Sequence, residues 1–184
     1  MSPKKSTKAK KKPAAENPMV KPRIEKVTVN IGVGEAGERL EKSQTVLQQV
    51  TKHSPIQTLS KTTNKDLGLR TRMPIGCKVT LRGKDAHDFL VRAFETRENR
   101  IADYAFDDQG NMSFGIPDHT LFKDQKYNPD IGIFGMDVCV TMEKPGYRIK
   151  RRRIQKRKIH ENHKLEKKET IHFFTETFKL EVVK

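Results

Sequence analysis

Residues 26–37 read KVTVNIGVGEAG, an alternating run that ends in three glycines, and its reading decides the fold. Gly32, Gly34 and Gly37 spell G-x-G-x-x-G between a strand-like segment, IEKVTVN, and a helix-like one, ERLEKSQTVLQQV. In that context a dinucleotide-binding turn is expected. Three features argue against it. The first strand of a doubly wound sheet is covered on both faces and is apolar throughout. Here Val27, Val29 and Ile31 alternate with Lys26, Thr28 and Asn30. An acid should follow about 20 residues on to hold a ribose, but no Asp or Glu lies between Glu41 and Asp66. Glu35 and Glu38, at the helix start, suit the helix dipole and would repel a pyrophosphate. The glycines are read instead as a sharp strand-to-helix turn, and the alternation as a strand with one face in the core and one open.

Outward from this strand, a helix over Glu35–Thr51 places Leu40, Leu47 and Val50 on one stripe with Val46 at its edge. A short strand is expected at 55–60, then a basic, Gly/Pro-punctuated connection, KTTNKDLGLRTRMPIG, into the strand CKVTLRG. Connections of that length are usually functional or mobile. In the strand, Val79 and Leu81 point one way and Lys78, Thr80 and Arg82 the other. Asp85 is placed as the cap of a second helix, in which Ala86, Phe89, Leu90, Ala93, Phe94 and Ile101 recur. Residues 103–136 are rich in turns. DVCVTMEK then alternates Val138, Val140 and Met142 against Cys139, Thr141 and Glu143. PGYRIKRRRIQKRK turns away from the sheet. A last helix over 166–178 buries Ile171, Phe174 and Phe178, and EVV adds a terminal strand or packed tail.

Charge says more about partners than about fold. The net charge of +15 over 184 residues is concentrated. Residues 1–23 hold eight Lys/Arg against Glu16 alone, and residues 144–158 hold nine and no acid. The rest of the chain is nearly neutral, with a further basic stretch at 60–84. Residues 1–22, with four prolines and many lysines, read as a disordered basic tail before a single domain over 23–184; a nuclear-import-like run is the other reading of its lysines. Cys77 and Cys139 form no pair motif, which fits a reducing, cytoplasmic setting. No apolar run approaches the ~20 residues of a membrane span, and the N-terminus has no apolar signal region.

Catalytic patterns are weak, and no enzyme is expected. His160 and His163 stand in a lysine-rich stretch without a third ligand, so neither a metal site nor a cofactor is expected. No nucleophile elbow or calcium loop is present. Nine cations without an acid in 15 residues repel one another unless phosphates supply counter-charge. The polar sheet face offers Thr28, Asn30, Lys78, Thr80 and Arg82 to phosphates, ribose hydroxyls and base edges. The same alternation suits an ordinary solvated sheet, and periodicity does not choose between the two. A generic basic nucleic-acid-binding protein or RNA chaperone is the alternative to a single-target binder.

Four motifs in order carry a resemblance: VTVNIGVGEA (27–36), MPIGCKVTLRG (73–83), GNMSFGI (110–116) and GMDVCVTMEKPGYRIKRR (135–152). Together they resemble the L-five family of large-subunit ribosomal proteins, and the PGYRIKRR extension resembles its archaeal and eukaryotic branch. The resemblance implies an α+β fold, a curved, mostly antiparallel sheet with helices packed on one face, with a C-terminal extension. It implies a ribosome-bound, cytoplasmic protein that binds 5S rRNA beside 23S rRNA in the central protuberance. Neighbouring proteins there and in the small-subunit head are implied partners, and no membrane is. The family's contacts carry over to Asn30, Thr58 and Thr80, and a bacterial Gln matches His53. Lys78 and Arg82 on the same face, and Arg148, Lys150, Arg151, Arg152 and Arg153 in the extension, complete the expected rRNA-binding set. Lys61, Lys65, Arg70 and Arg72 lie on the loop that in the family reaches P-site tRNA.

Overall fold

The computed structural model describes residues 17–183; residues 1–16 of the expected tail, and Lys184, lie outside them. In chain order the elements are β1 (Arg23–Gly32), α1 (Glu38–Thr51), β2 (Ile56–Leu59), β3 (Pro74–Leu81), α2 (Gly83–Glu95), β4 (Arg100–Ala102), β5 (Met112–Ile116), β6 (Met136–Glu143), α3 (Lys167–Phe178) and β7 (Glu181–Val183). β1 is the middle strand of a five-stranded sheet ordered β2-β3-β1-β6-β5, and all four of the sheet's pairings are antiparallel. β4 and β7 form a separate parallel pair, so the terminal EVV segment is a strand.

The alternation read in β1 holds: Val27, Val29 and Ile31 are buried. From the same side β3 adds Cys77, Val79 and Leu81, and β6 adds Val138, Val140 and Met142. Against them α1 brings Leu40, Val46, Leu47 and Val50, and α2 brings Ala86, Phe89, Leu90, Ala93 and Phe94. Phe94 joins the elements: its ring lies 5.5 Å from Phe114 of β5, and 6.0 and 5.2 Å from Phe174 and Phe178 of α3. Phe94 and Phe174 are fully buried, and each such ring stabilises by roughly 1.5–3 kcal/mol, while Phe114 and Phe178 are half-buried. The helices therefore cover one face of an α+β sheet.

Two of the three glycines shape the turn out of β1, while Gly32 ends the strand itself. Gly34 and Gly37 have φ of +81° and +118°, conformations that L side chains resist. The N–H groups of Val33 and Gly34 both donate to the Ile75 carbonyl, at 3.0 and 2.8 Å, and the Gly37 carbonyl opens α1 by accepting from Leu40 at 3.0 Å. The helix starts at Glu38, three residues later than the pattern suggests.

Two further local readings change. α2 begins at Gly83, whose φ of +60° lets the chain enter the helix early, so Asp85 is a first-turn acid and not the cap. Ile101 belongs to β4, because α2 ends at Glu95. The 61–76 connection is a paired arm, not an irregular loop. Ser60 N–H bonds Met73 O, Arg72 N–H bonds Ser60 O, and Asn64 and Leu69 exchange backbone bonds at 2.9 Å. The β2–β3 hairpin thus continues outward to a tip around Asp66–Gly68.

Gly76 shows how tightly this part of the sheet is assembled. A Cβ there would lie 2.7 Å from the Ile31 carbonyl oxygen and 2.9 Å from Thr58 Oγ1, whereas one at Gly32 would meet nothing within 4 Å. Gly76→Ala should therefore destabilise by about 1–3 kcal/mol through overpacking, and Gly32→Ala by less than about 0.5 kcal/mol. Thermal melting of the two variants, side by side, checks the difference.

Candidate nucleic-acid interface

On the face opposite the helices, strand register sets polar side chains in rows. One row runs Thr80–Thr28–Cys139–Ser113 and the next Ile56–Lys78–Asn30–Asp137–Gly115 across neighbouring strands. Thr58 sits one row further on, opposite Gly76, where the glycine leaves room for its hydroxyl. Thr58, Asn30, Lys78 and Thr80 are thereby brought onto one surface, with Lys78 and Thr80 exposed. Hydroxyl, amide and ammonium groups at this spacing can contact sugar, phosphate and base edges. No aromatic ring stands in these rows to stack a base.

Sequence reasoning left out Asp137, which is exposed and directly opposite Asn30. The alternation of β6 marks it as outward-facing, although its carboxylate opposes the charge expected of a face that meets phosphate. A carboxylate can accept from a ribose hydroxyl or a base amino group, so this row suits sugar and base edges better than bare phosphate. Its neighbour Cys139 is exposed too. Partial burial, and secondarily the Asp137 charge, raise the thiol pKa above its ordinary value.

His53 stands apart from these rows. It follows α1, and its Nε2 lies 3.2 Å from Asp85 Oδ2 in the first turn of α2, an exposed contact between the two helices. Lys61, Lys65, Arg70 and Arg72 line the paired arm and are all exposed. Arg72 adopts φ +69° at the arm's base.

The basic extension leaves β6 through Gly146, at φ +96°, and a short turn over Tyr147–Lys150. Tyr147 anchors the turn: its hydroxyl accepts from Leu165 N–H at 2.6 Å and donates to His163 O at 3.2 Å. Burial pushes the Tyr147 phenol pKa up, with the Leu165 N–H opposing. Lys150 Nζ lies 5.1 Å over the Tyr147 ring. Lys144, just before the turn, is buried and satisfied by Glu169 at 2.6 Å and Lys164 O at 3.1 Å.

Charges in the extension do not all point outward. Arg151 joins Arg82 and Arg23 around two carboxylates, Glu25 and Glu143, that are each only 8% exposed. Arg148, Lys150 and Arg153 are exposed, and Arg152 is half-buried with Nε on the Gln155 carbonyl at 2.9 Å. Of the expected cations, Arg82 and Arg151 thus have partners within the fold. The histidines of the H-x-x-H motif are occupied as well: His160 accepts from Asn162 N–H, and His163 Nε2 meets Pro145 O at 2.8 Å. Among the described residues no group of His, Cys, Asp or Glu could hold a metal, and no helix is long and apolar enough to cross a membrane.

Comparison with known proteins places most of the chain in one family. Residues 17–70 match the model of ribosomal protein L5, and residues 74–173 match the model of the ribosomal L5 family C-terminus. The chain belongs to the ribosomal protein L5 family. It is 50% identical over 172 residues to the large ribosomal subunit protein uL5 of Methanococcus maripaludis strain C6, covering 92% of this chain and 95% of that one. It is 48% identical over 167 residues to the same protein of Methanobrevibacter smithii, covering 91% and 98%. The likeness is thus to the archaeal type. Membership makes the chain a large-subunit ribosomal protein of the cytoplasmic translation machinery, an RNA-associated component and not an enzyme. The glycine motif is part of the L5 fold and no nucleotide fingerprint.

Removing the Tyr147 hydroxyl leaves the Leu165 N–H unsatisfied inside the fold. Tyr147→Phe should cost about 1–3 kcal/mol at neutral pH. The difference shrinks with alkali: a phenol whose folded pKa is raised contributes stability that is fully present below the ordinary tyrosine value of about 10 and is lost as the pH rises through the raised folded value. Urea titrations at neutral and strongly alkaline pH should show the variant less stable at neutral pH and with the shallower alkaline loss.

Proposed function

We propose that this L5 protein binds 5S rRNA through its helix-free sheet face and anchors it in the central protuberance. The observation that carries this reading is the juxtaposition of Thr28, Asn30, Lys78 and Thr80 in adjacent register positions on the uncovered face. A second support is the extension, whose exposed Arg148, Lys150 and Arg153 extend from the turn that follows β6. Sheet polar groups fix register on the folded RNA, and the extension and neighbouring 23S rRNA share phosphate contacts. The arm bearing Lys61, Lys65, Arg70 and Arg72 projects from the β2–β3 end and reaches P-site tRNA. Proteins of the central protuberance and of the small-subunit head complete the neighbourhood.

The sheet and the arm then have separable roles. Asn30→Ala with Thr80→Ala removes outward-facing groups and should weaken 5S rRNA binding by about 1–3 kcal/mol without lowering the melting temperature. Unchanged binding by this double variant with unchanged melting contradicts the sheet-face assignment. Replacing residues 62–71 by a two-residue turn should spare 5S binding and reduce tRNA contact on assembled ribosomes; loss of 5S binding would make the arm part of the docking surface.

Two physical readouts need no mutation. With ~6–10 phosphate contacts, affinity for 5S rRNA should fall by roughly 10³–10⁵ between about 50 and 200 mM salt. Cys139, exposed in the Thr80–Thr28 row, should alkylate at alkaline pH in the free protein and be shielded by bound 5S rRNA, while buried Cys77 stays unreactive in both states. Equal Cys139 alkylation with and without saturating 5S rRNA is the result against it.

A further inference from the structure

Residues 144–158 carry nine cations and no acid, yet the extension runs in a closed path. Arg157 N–H donates to Ile149 O at 3.3 Å, Gln155 turns at φ +52°, and Arg152 closes the turn on the Gln155 carbonyl. Like charges at this density repel and would open such a loop. Something must hold it against the body of the protein.

Arg151 makes the charged contact between this segment and the sheet. Its two terminal nitrogens divide between two carboxylates: one meets Glu25, and the other meets Glu143 Oε2 at 2.5 Å. The carboxylates come from separate strands. Glu143 ends β6 opposite Arg23, and Glu25 is the residue left over where the β1–β6 register shifts between Ile24 and Lys26. Each is 8% exposed. Arg23 meets Glu143 at 2.6 Å, and Arg82 lies 3.8 Å from Glu25 while donating to its carbonyl at 3.3 Å. Three guanidiniums therefore surround two carboxylates. The planar fork of arginine suits such bridging, and an ammonium does not.

By simple charge counting, two acids at the root of a phosphate-binding segment should weaken RNA binding. Their burial and their geometry give them another role. We propose that Glu25 and Glu143 are positioning residues for RNA binding: they hold Arg151 on the sheet and so set the direction in which Arg148, Lys150, Arg152 and Arg153 meet the RNA. This rests on the RNA-binding reading above. It makes Arg151 chiefly an internal clamp, with the bulge in β1 serving to bring Glu25 beside Glu143.

The test uses the full chain with Glu25→Gln, Glu143→Gln and Arg151→Lys, each checked for a folded melting profile. The last keeps the charge, removes the fork and affects a partly exposed side chain, so it remains informative if a glutamine variant fails to fold. Trypsin cleavage within 148–158, measured without RNA, should accelerate about tenfold in each folded variant, as expected when a local anchor worth one decade in opening equilibrium is lost. Affinity for 5S rRNA should fall about tenfold, although the glutamine variants are more positive, while affinity for an unrelated structured RNA of equal length is unchanged or rises. A gain in 5S affinity in the glutamine variants, or cleavage rates equal to wild type, overturns the proposal. Faster cleavage with wild-type 5S affinity also overturns it, because the clamp then positions nothing that the RNA reads. If the wild-type chain itself does not distinguish the two RNAs, the function reading fails; the clamp is then judged by the trypsin rates alone, equal rates overturning it.

Discussion

β1 lies in the middle of the sheet and can bury only one of its faces. Every other feature follows from that constraint. With Val27, Val29 and Ile31 committed to the helices, Thr28 and Asn30 must stand on the other side. Both neighbours, β3 and β6, pair antiparallel in a register that extends each outward residue into a row. α1 and α2 are held to the same side by their apolar stripes, and α3 joins them through the Phe94, Phe174 and Phe178 rings. A sheet covered on one side only leaves a polar, hydrogen-bonding surface whose groups can meet phosphate, sugar and base edges.

The uncovered face is not uniformly basic. Asp137 stands beside Asn30, and Glu143 lies buried at the far end of the same strand under Arg23 and Arg151. The positive charge sits mainly at the margins, on the arm beyond β2 and β3 and in the extension beyond β6. This division matches two kinds of work. A centre of mixed charge suits short-range contact with sugar and base edges, and a charged periphery suits long-range attraction of a polyanion.

The strands and helices were legible because their apolar periods are clean: 27/29/31, 79/81 and 138/140/142 for strands, and 86/89/90/93/94 for α2. The rejection of the dinucleotide motif came from the same alternation. What sequence did not reveal depends on partners far away in the chain. Glu143 follows the outward phase of β6, and only Arg23, 120 residues earlier, together with Arg151, explains its burial. Lys144 is a buried lysine made tolerable by Glu169 and the Lys164 carbonyl. The start of α2 was misplaced because Asp85 has the chemistry of a cap, while Gly83 has the backbone freedom that decides the entry. The arm was legible in length and charge, but its pairing was not, since its ladder is made by backbone groups and by the Thr63–Thr71 contact.

The central claim is that one RNA fits this face. It is tested most directly by sequencing the RNA that co-purifies with the full chain through a moderate-salt wash. Strong enrichment of 5S rRNA over other structured RNAs of similar length is the predicted result. RNA in the proportions of the total cellular pool would contradict it.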